Sequence, residues 1–356
     1  MQKSFIAALL LITLFVPGLV YAQGCMGGGS SEGVNVIGFI QPQLEYNFAE
    51  DASGEADNSY NFTFNRARIG VTGNIPYDVS YYFILETSPF KGDVKICDAF
   101  TSYTRLAPYA TFSIGKFKSP FGLERNTPCQ GLYTVKRSLV TDNLVLDRDM
   151  GLMAYGNYND LVNYTFALTH GTGSAAVDNN KAKDISARVV LSPIEMVKVG
   201  GSWQTGKQPA ADPTAEEEDI RTRFAGELQF EYKNFLVQGE YISGKMESSG
   251  GIVAHPPDCT HDTTWYTEVP PGESKSGGYW GFLAYTTPWE LQPIVKYEFY
   301  DPDADTDDNE LSIITFGFNY FINDWSRIQV NYLYKAEKGN EIVNDEILFQ
   351  FQALFN

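Results

Sequence analysis

A two-residue alternation of apolar and polar side chains, recurring along the chain, limits what it can fold into. In Ile347-Leu348-Phe349-Gln350-Phe351-Gln352-Ala353-Leu354-Phe355 the odd positions are all apolar, while Gln350 and Gln352 suit water. Residues 325–336 set Ile328, Val330, Tyr332 and Tyr334 against Arg327, Gln329, Asn331 and Lys335. Residues 290–301 set Val295, Tyr297 and Phe299 against Gln292, Lys296 and Glu298, and residues 219–232 set Phe224, Leu228, Phe230 and Tyr232 against Arg223, Glu227, Gln229 and Glu231. Successive side chains of a strand point to opposite faces, so each segment has one apolar and one polar side. Further strands are predicted at 34–47, 60–73, 77–88, 94–106, 109–117, 150–158, 161–170, 183–192, 196–206, 234–246, 275–287, 309–322 and 344–355, about sixteen in all.

The connections alternate in length. Short ones at 75–76, 107–108, 159–160, 192–195, 233–234, 288–289 and 323–324 carry the Pro, Asn and Asp of tight turns. Long polar ones occupy 48–59, 118–149, 171–182, 207–218, 247–274, 302–308 and 337–343, with 89–93 the one short departure. Short turns at one end, long loops at the other and an even strand count describe an all-β, transmembrane antiparallel β-barrel of the outer membrane. Charges recur on the inward face of several strands. A soluble barrel would bury them at high cost, whereas lipid outside and water inside tolerates them. A soluble sandwich or β-helix with one wet face is the competing architecture.

Composition agrees. The 22 Tyr and 24 Phe supply interfacial girdles, and Phe299, Tyr320, Tyr332 and Phe355 are expected to face lipid. A net charge of −18 argues against nucleic acid as a partner. The acidic runs 216–219 and 301–310 read as solvated loop tips, with divalent-cation binding near headgroups as the sharper alternative. Lys3, the apolar run Phe5 to Val16 and Val20-Tyr21-Ala22 mark residues 1–22 as a secretory signal, too short in its apolar part to span a bilayer. Acylation at Cys25 would make the chain a lipoprotein, but Ala22-Gln23-Gly24 departs from that pattern. Residues 23–33 read as a Gly/Ser leader, leaving 34–356 as the barrel.

Connection 118–149, the third long loop, is long enough to fold back into the lumen. Between 116 and 148 it and its flanks carry Lys116, Lys118, Arg125, Lys136, Arg137 and Arg148 against Glu124, Asp142 and Asp147. A locally positive segment at a constriction favours anions. The structural alternative is that these charges pair with acids and fix the loop.

Phe64-Asn65-Arg66-Ala67-Arg68-Ile69-Gly70-Val71-Thr72-Gly73, Asp98-Ala99-Phe100, Gly115-Lys116-Phe117-Lys118-Ser119-Pro120-Phe121-Gly122-Leu123-Glu124 and Arg148-Asp149-Met150-Gly151 resemble the phosphate-selective porin O and P family. The resemblance spans about 34–356, with its sharpest motifs in 60–155. It implies a sixteen-stranded, trimeric barrel whose third long loop folds inward. It also implies pore residues at Arg66, Arg68, Lys116, Lys118, Arg125 and Arg148, with Asp98 an acid of the wall. Glu227, Glu240 and Glu298 are acidic inner-face positions where a basic ladder would otherwise run.

Cys97 on a strand and Cys129 in the long loop are candidates for a disulfide stapling loop to wall, although spacing does not fix connectivity. His255, Cys259 and His261 have metal-like spacing in a Pro- and Gly-rich loop, and read as a mobile tip rather than a metal site. Gly29-Ser30-Ser31-Glu32-Gly33 matches a nucleophile-elbow pattern without strand-to-helix context. The expectation is a cofactor-free porin, not an enzyme. It would pass small hydrophilic or anionic solutes across the outer membrane, contact its lipids and turn its long loops outward. The rivals are a plugged structural or adhesive barrel and a barrel lipid hydrolase.

Overall fold

The computed structural model describes residues 33–355 except 52, 174–177, 179, 209–217, 256–264, 270 and 340–341, and only the backbone of 251–255 and 265–269. The signal, the leader up to residue 32, Cys25, all of the elbow-like pattern but Gly33 and the Cys259/His261 pair lie outside the described residues, and Gly33 opens the first strand. Among the described residues no helix is long and apolar enough to cross a membrane, so crossing falls to strands.

The strands are β1 (Gly33–Asn47), β2 (Ser59–Ile75), β3 (Val79–Glu86), β4 (Lys95–Leu106), β5 (Ala110–Lys118), β6 (Arg148–Tyr158), β7 (Val162–Thr169), β8 (Asp184–Ile194) and β9 (Val197–Gln208). They continue with β10 (Asp219–Tyr232), β11 (Phe235–Ser248), β12 (Gly251–His255), β13 (Trp265–Val269), β14 (Gly272–Tyr285), β15 (Leu291–Asp301), β16 (Leu311–Asn323), β17 (Ser326–Glu337) and β18 (Glu346–Phe355). All but β12 and β13 form one closed antiparallel barrel of sixteen strands. β12 and β13 pair as a separate hairpin within the long connection between β11 and β14. The C-terminal strand closes the barrel against the N-terminal one, with Gly38 opposite Phe355 and Asn47 opposite Glu346. Closure removes every free edge, which a sheet in hydrocarbon requires because lipid cannot satisfy backbone groups.

Side-chain alternation follows the prediction on the outer face. Ile347, Phe349, Phe355, Tyr320 and Tyr332 are exposed outward, and Phe299 stacks on Tyr279 on the same side. The connection 87–94 takes its place among the long loops, so the apparent exception at 89–93 is a shorter member of that set.

The inner face departs from the expected water-lined wall. Leu236, Ile242, Trp280, Phe282, Ile294, Ile313, Leu333 and Leu348 all point inward and are buried. The reason is the connection between β5 and β6, which folds into the barrel and supplies these side chains with apolar partners.

Candidate functional site

The loop between β5 and β6 contains two short helices, α1 (Leu123–Asn126) and α2 (Leu139–Leu144). Its apolar residues dock on one side of the barrel. Phe121, Leu123, Val140, Leu144 and Val145 join the inward residues of β11, β14 and β15, while Val135 meets Ile313, Leu333 and Leu348. Each such side chain contributes roughly 1.5–3 kcal/mol when fully removed from water.

Polar groups of the wall complete the docking by capping loop backbone. Glu240 of β11 accepts from the amides of Leu123 (2.8 Å) and Glu124 (3.1 Å) and from Trp280 Nε1 (3.1 Å). Asn331 accepts from Val135 N at 2.8 Å, and Asn319 donates to the Tyr133 carbonyl at 3.0 Å. Gly122 makes the turn into α1 at φ 74° and ψ 167°, a region open essentially to glycine. A Cβ there would stand 2.1 Å from Glu240 Oε1.

Three ionic anchors follow. Lys296, fully buried, donates to Glu124 Oε1 (2.8 Å) and Glu298 Oε1 (3.0 Å). Arg125 pairs with Asp147 and Asp142, both at 3.1 Å. Arg148 makes a two-pronged contact with Asp98 (3.0 Å from Nε and from Nη2) and a further one with Asp147 at 2.6 Å. Arg125, Arg148 and Asp98, expected at the pore, are thus brought together as parts that hold the loop to β4. In Glu124, burial alone would raise the carboxyl pKa. Lys296 and the Ser138 donors outweigh it and hold the group below its usual value.

A different set of basic groups lacks acid partners. Arg66 Nη1 donates to Gln41 Oε1 (3.1 Å), Gln41 donates to Gln352 Oε1 (2.8 Å), and Arg327 donates to the same oxygen (3.1 Å) and to the Gln130 carbonyl (2.8 Å). Arg137 donates to the Glu124 and Thr127 carbonyls, both at 3.3 Å. Among the described residues Arg66, Arg137 and Arg327 make no ion pair, and the Nε of Arg66 and of Arg327 has no hydrogen-bond partner. Lys118 donates to the Thr127 carbonyl at 3.1 Å, and Arg68 pairs with Glu86 at 3.0 Å beside them. Near this group Lys91 loses basicity to burial first and to the charge of Arg66 second, which brings it down to about 8.

Two expected site residues stand apart. Alternation along β5 puts Lys116 on the outward face with Phe112 and Ile114, while Phe117 turns inward. Lys136 is exposed and ion-paired with Glu346. The expected Cys97–Cys129 staple is not formed. Cys97 is engaged in a disulfide, whereas Cys129 is a free, buried thiol. Its Sγ instead accepts from Arg68 Nη1 (3.0 Å) and Arg137 Nη2 (3.6 Å), and the ionic anchors hold loop to wall without it. Alternation alone places Arg327 and Lys296 on the inner face without assigning them to the site. Lys91 carried no signal beyond its charge.

The comparisons with known proteins agree with the sixteen-stranded fold. The family model for phosphate-selective porin O and P matches residues 39–257. No curated protein matches the chain. Among solved structures, an anion-selective porin from Comamonas acidovorans has a TM-score of 0.64 at 13% identity, covering 91% of this chain and 100% of its own. OmpT, an outer membrane protein of Vibrio cholerae, in its trimer form, scores 0.62 at 11% identity, covering 91% and 99%. The outer membrane channel DcaP of Acinetobacter baumannii scores 0.62 at 13% identity, covering 92% and 99%. These structures share the fold, and the family match supplies the function of an outer-membrane porin. With more than half its length matched, the chain belongs to the phosphate-selective porin O and P family.

Proposed function

We propose that this outer-membrane porin favours small anions during passive passage and performs no catalysis. The observation that carries the reading is the buried group Arg66, Arg137 and Arg327, which has no acid partner among the described residues. Nearby carboxylates are engaged elsewhere: Glu86 with Arg68, Asp98 and Asp147 with Arg148, and Glu124 and Glu298 with Lys296. The local excess is therefore positive, and guanidinium forks suit planar or tetrahedral oxyanions. Arg66 and Arg327 act on such a solute through their charge, since their unpartnered Nε atoms are buried.

We place the long loops outside the cell, since short turns face the periplasm in barrels of this kind. The exposed apolar outer face suits both lipid and further copies of the chain, and a trimer is the assembly we expect. The test is single-channel recording in a planar bilayer under asymmetric chloride and then phosphate. A reversal potential toward the anion and slower passage of phosphate are expected. Cation preference would refute anion selectivity. Absence of conductance would mean that the docked loop seals the lumen and would favour a structural barrel.

A further inference from the structure

Cys129 is enclosed in an unusual way for a free thiol. Cys97 is disulfide-bonded, as expected of an oxidising compartment where accessible thiols pair. Cys129 remains free and is 2% exposed, so bulky thiol partners are kept from it. Its Sγ nevertheless faces charge rather than hydrocarbon, with Arg68 Nη1 at 3.0 Å and Arg137 Nη2 at 3.6 Å. Arg66 stands beside it. It is 4% exposed, its Nε has no partner, and it is linked through Gln41 to the Cys129 carbonyl, 3.5 Å from Gln41 Nε2.

We propose that Cys129 is a modification site for hydrogen peroxide, placing an oxidant-responsive thiol among the basic groups of the loop. Peroxide is uncharged and close to water in size, which suits a site that excludes larger electrophiles. The Cys129 thiolate attacks one peroxide oxygen, forming an S–O bond and breaking the O–O bond. Sulfur loses two electrons, peroxide gains them and departs as hydroxide, and the product is a sulfenic acid. Arg68 and Arg137 orient the sulfur, while the nearby charge of Arg66 favours the developing negative charge. Burial by itself would raise the thiol pKa, but the charges of Arg68, Lys118, Arg66 and Arg137 outweigh it and hold the group well below its usual value. The added oxygen sits among the guanidinium groups to which we assign anion preference and draws on their charge, so oxidation lowers anion passage.

The first test reads the chemistry without reference to selectivity. The folded full-length protein is treated with hydrogen peroxide and a cyclic 1,3-diketone trap, and the Cys129 peptide is followed by mass spectrometry. Labelling about tenfold or more faster than in the denatured chain is expected, because an ordinary thiol is mostly protonated at neutral pH. Arg137→Met should slow it. Labelling no faster than in the denatured chain, or unaffected by Arg137→Met, would overturn the proposal. The second test adds peroxide to a conducting bilayer. Wild-type anion conductance should fall and Cys129→Ser channels should not respond, whatever their own conductance; an equal fall in both would refute the site. If the channel proves unselective but labelling is fast, the modification site stands and the anion reading falls.

Discussion

Replacing Lys296 with Met should release the loop from the barrel wall. Its ammonium, 0% exposed, lies 2.8 Å from Glu124 Oε1 and 3.0 Å from Glu298 Oε1. The second oxygens of the same carboxylates hold loop backbone: Ser138 N donates to Glu124 Oε2 at 2.8 Å, and Leu139 N to Glu298 Oε2 at 3.0 Å. Lys296→Met therefore leaves two carboxylates facing each other in a site closed to water. Removing one partner of a buried hydrogen-bonded pair costs about 3–5 kcal/mol. Protonation of one carboxylate recovers part of this, so we expect about 3 kcal/mol. Every 1.4 kcal/mol is tenfold in an equilibrium constant, so amide exchange at Ser138 and Leu139 should accelerate by roughly a hundredfold. Hydrogen-exchange mass spectrometry of that segment reads this directly. Adding Glu124→Gln and Glu298→Gln to Lys296→Met should restore most of the protection, because no unpaired charge remains. An acceleration below about threefold would show that apolar docking alone holds the loop. Equal acceleration in loop and barrel strands would show that Lys296 supports the barrel rather than the loop.

Further outcomes test anchoring and selectivity in turn. Arg66→Gln and Arg327→Gln should each move the reversal potential toward cations with little loss of loop protection. Arg125→Gln and Arg148→Gln should instead loosen the loop by about 3 kcal/mol, since each leaves Asp147 short of a buried partner. Lys91, brought down to about 8, is charged below that pH and neutral above it. Anion preference in bilayer recordings should accordingly weaken as pH rises from 6 to 10, and Lys91→Met should flatten the profile. Gly122→Ala forces a side chain into a glycine-only conformation against Glu240, so exchange at Leu123 and Glu124 should rise by the equivalent of about 1–3 kcal/mol.

Strand positions and the outward face were readable in the sequence because period-two alternation is a local property. The lumen was less so. Ile347-Leu348-Phe349 and Trp280-Gly281-Phe282-Leu283-Ala284 break the alternation with consecutive apolar residues. A strand with lipid outside has reason to do this only where something apolar also lies inside. Those runs mark where the loop docks, and they were the available signal for it. The roles of individual charges were not readable in this way. Arg66 and Arg148 sit in equally specific motifs, yet Arg148 has Asp98 and Asp147 in reach while Arg66 has Gln41. That difference depends on contacts between residues far apart in the chain. The same applies to Cys129, whose pairing with Cys97 was a reasonable expectation from position and is excluded by where its sulfur points.

A net charge of −18 does not oppose a positive site, because the two act over different ranges. Asp305, Asp307 and Asp308 lie exposed in the connection after β15, where salt screens a charge over about 8 Å. Arg66 and Arg327 are buried and screened far less, so what a solute meets at the loop is set by them and by whichever acids remain unpaired nearby. The arrangement answers that second condition by engaging Glu86 with Arg68, Asp98 and Asp147 with Arg148, and Glu124 and Glu298 with Lys296. Pairing has two effects at once: it fastens the loop, and it neutralises part of the acid charge that would otherwise offset the unpaired guanidinium groups. Anchoring and selectivity are therefore coupled through acid, not through base. A variant that frees a carboxylate, such as Arg148→Gln, should weaken anion preference even though Arg148 itself never meets the solute.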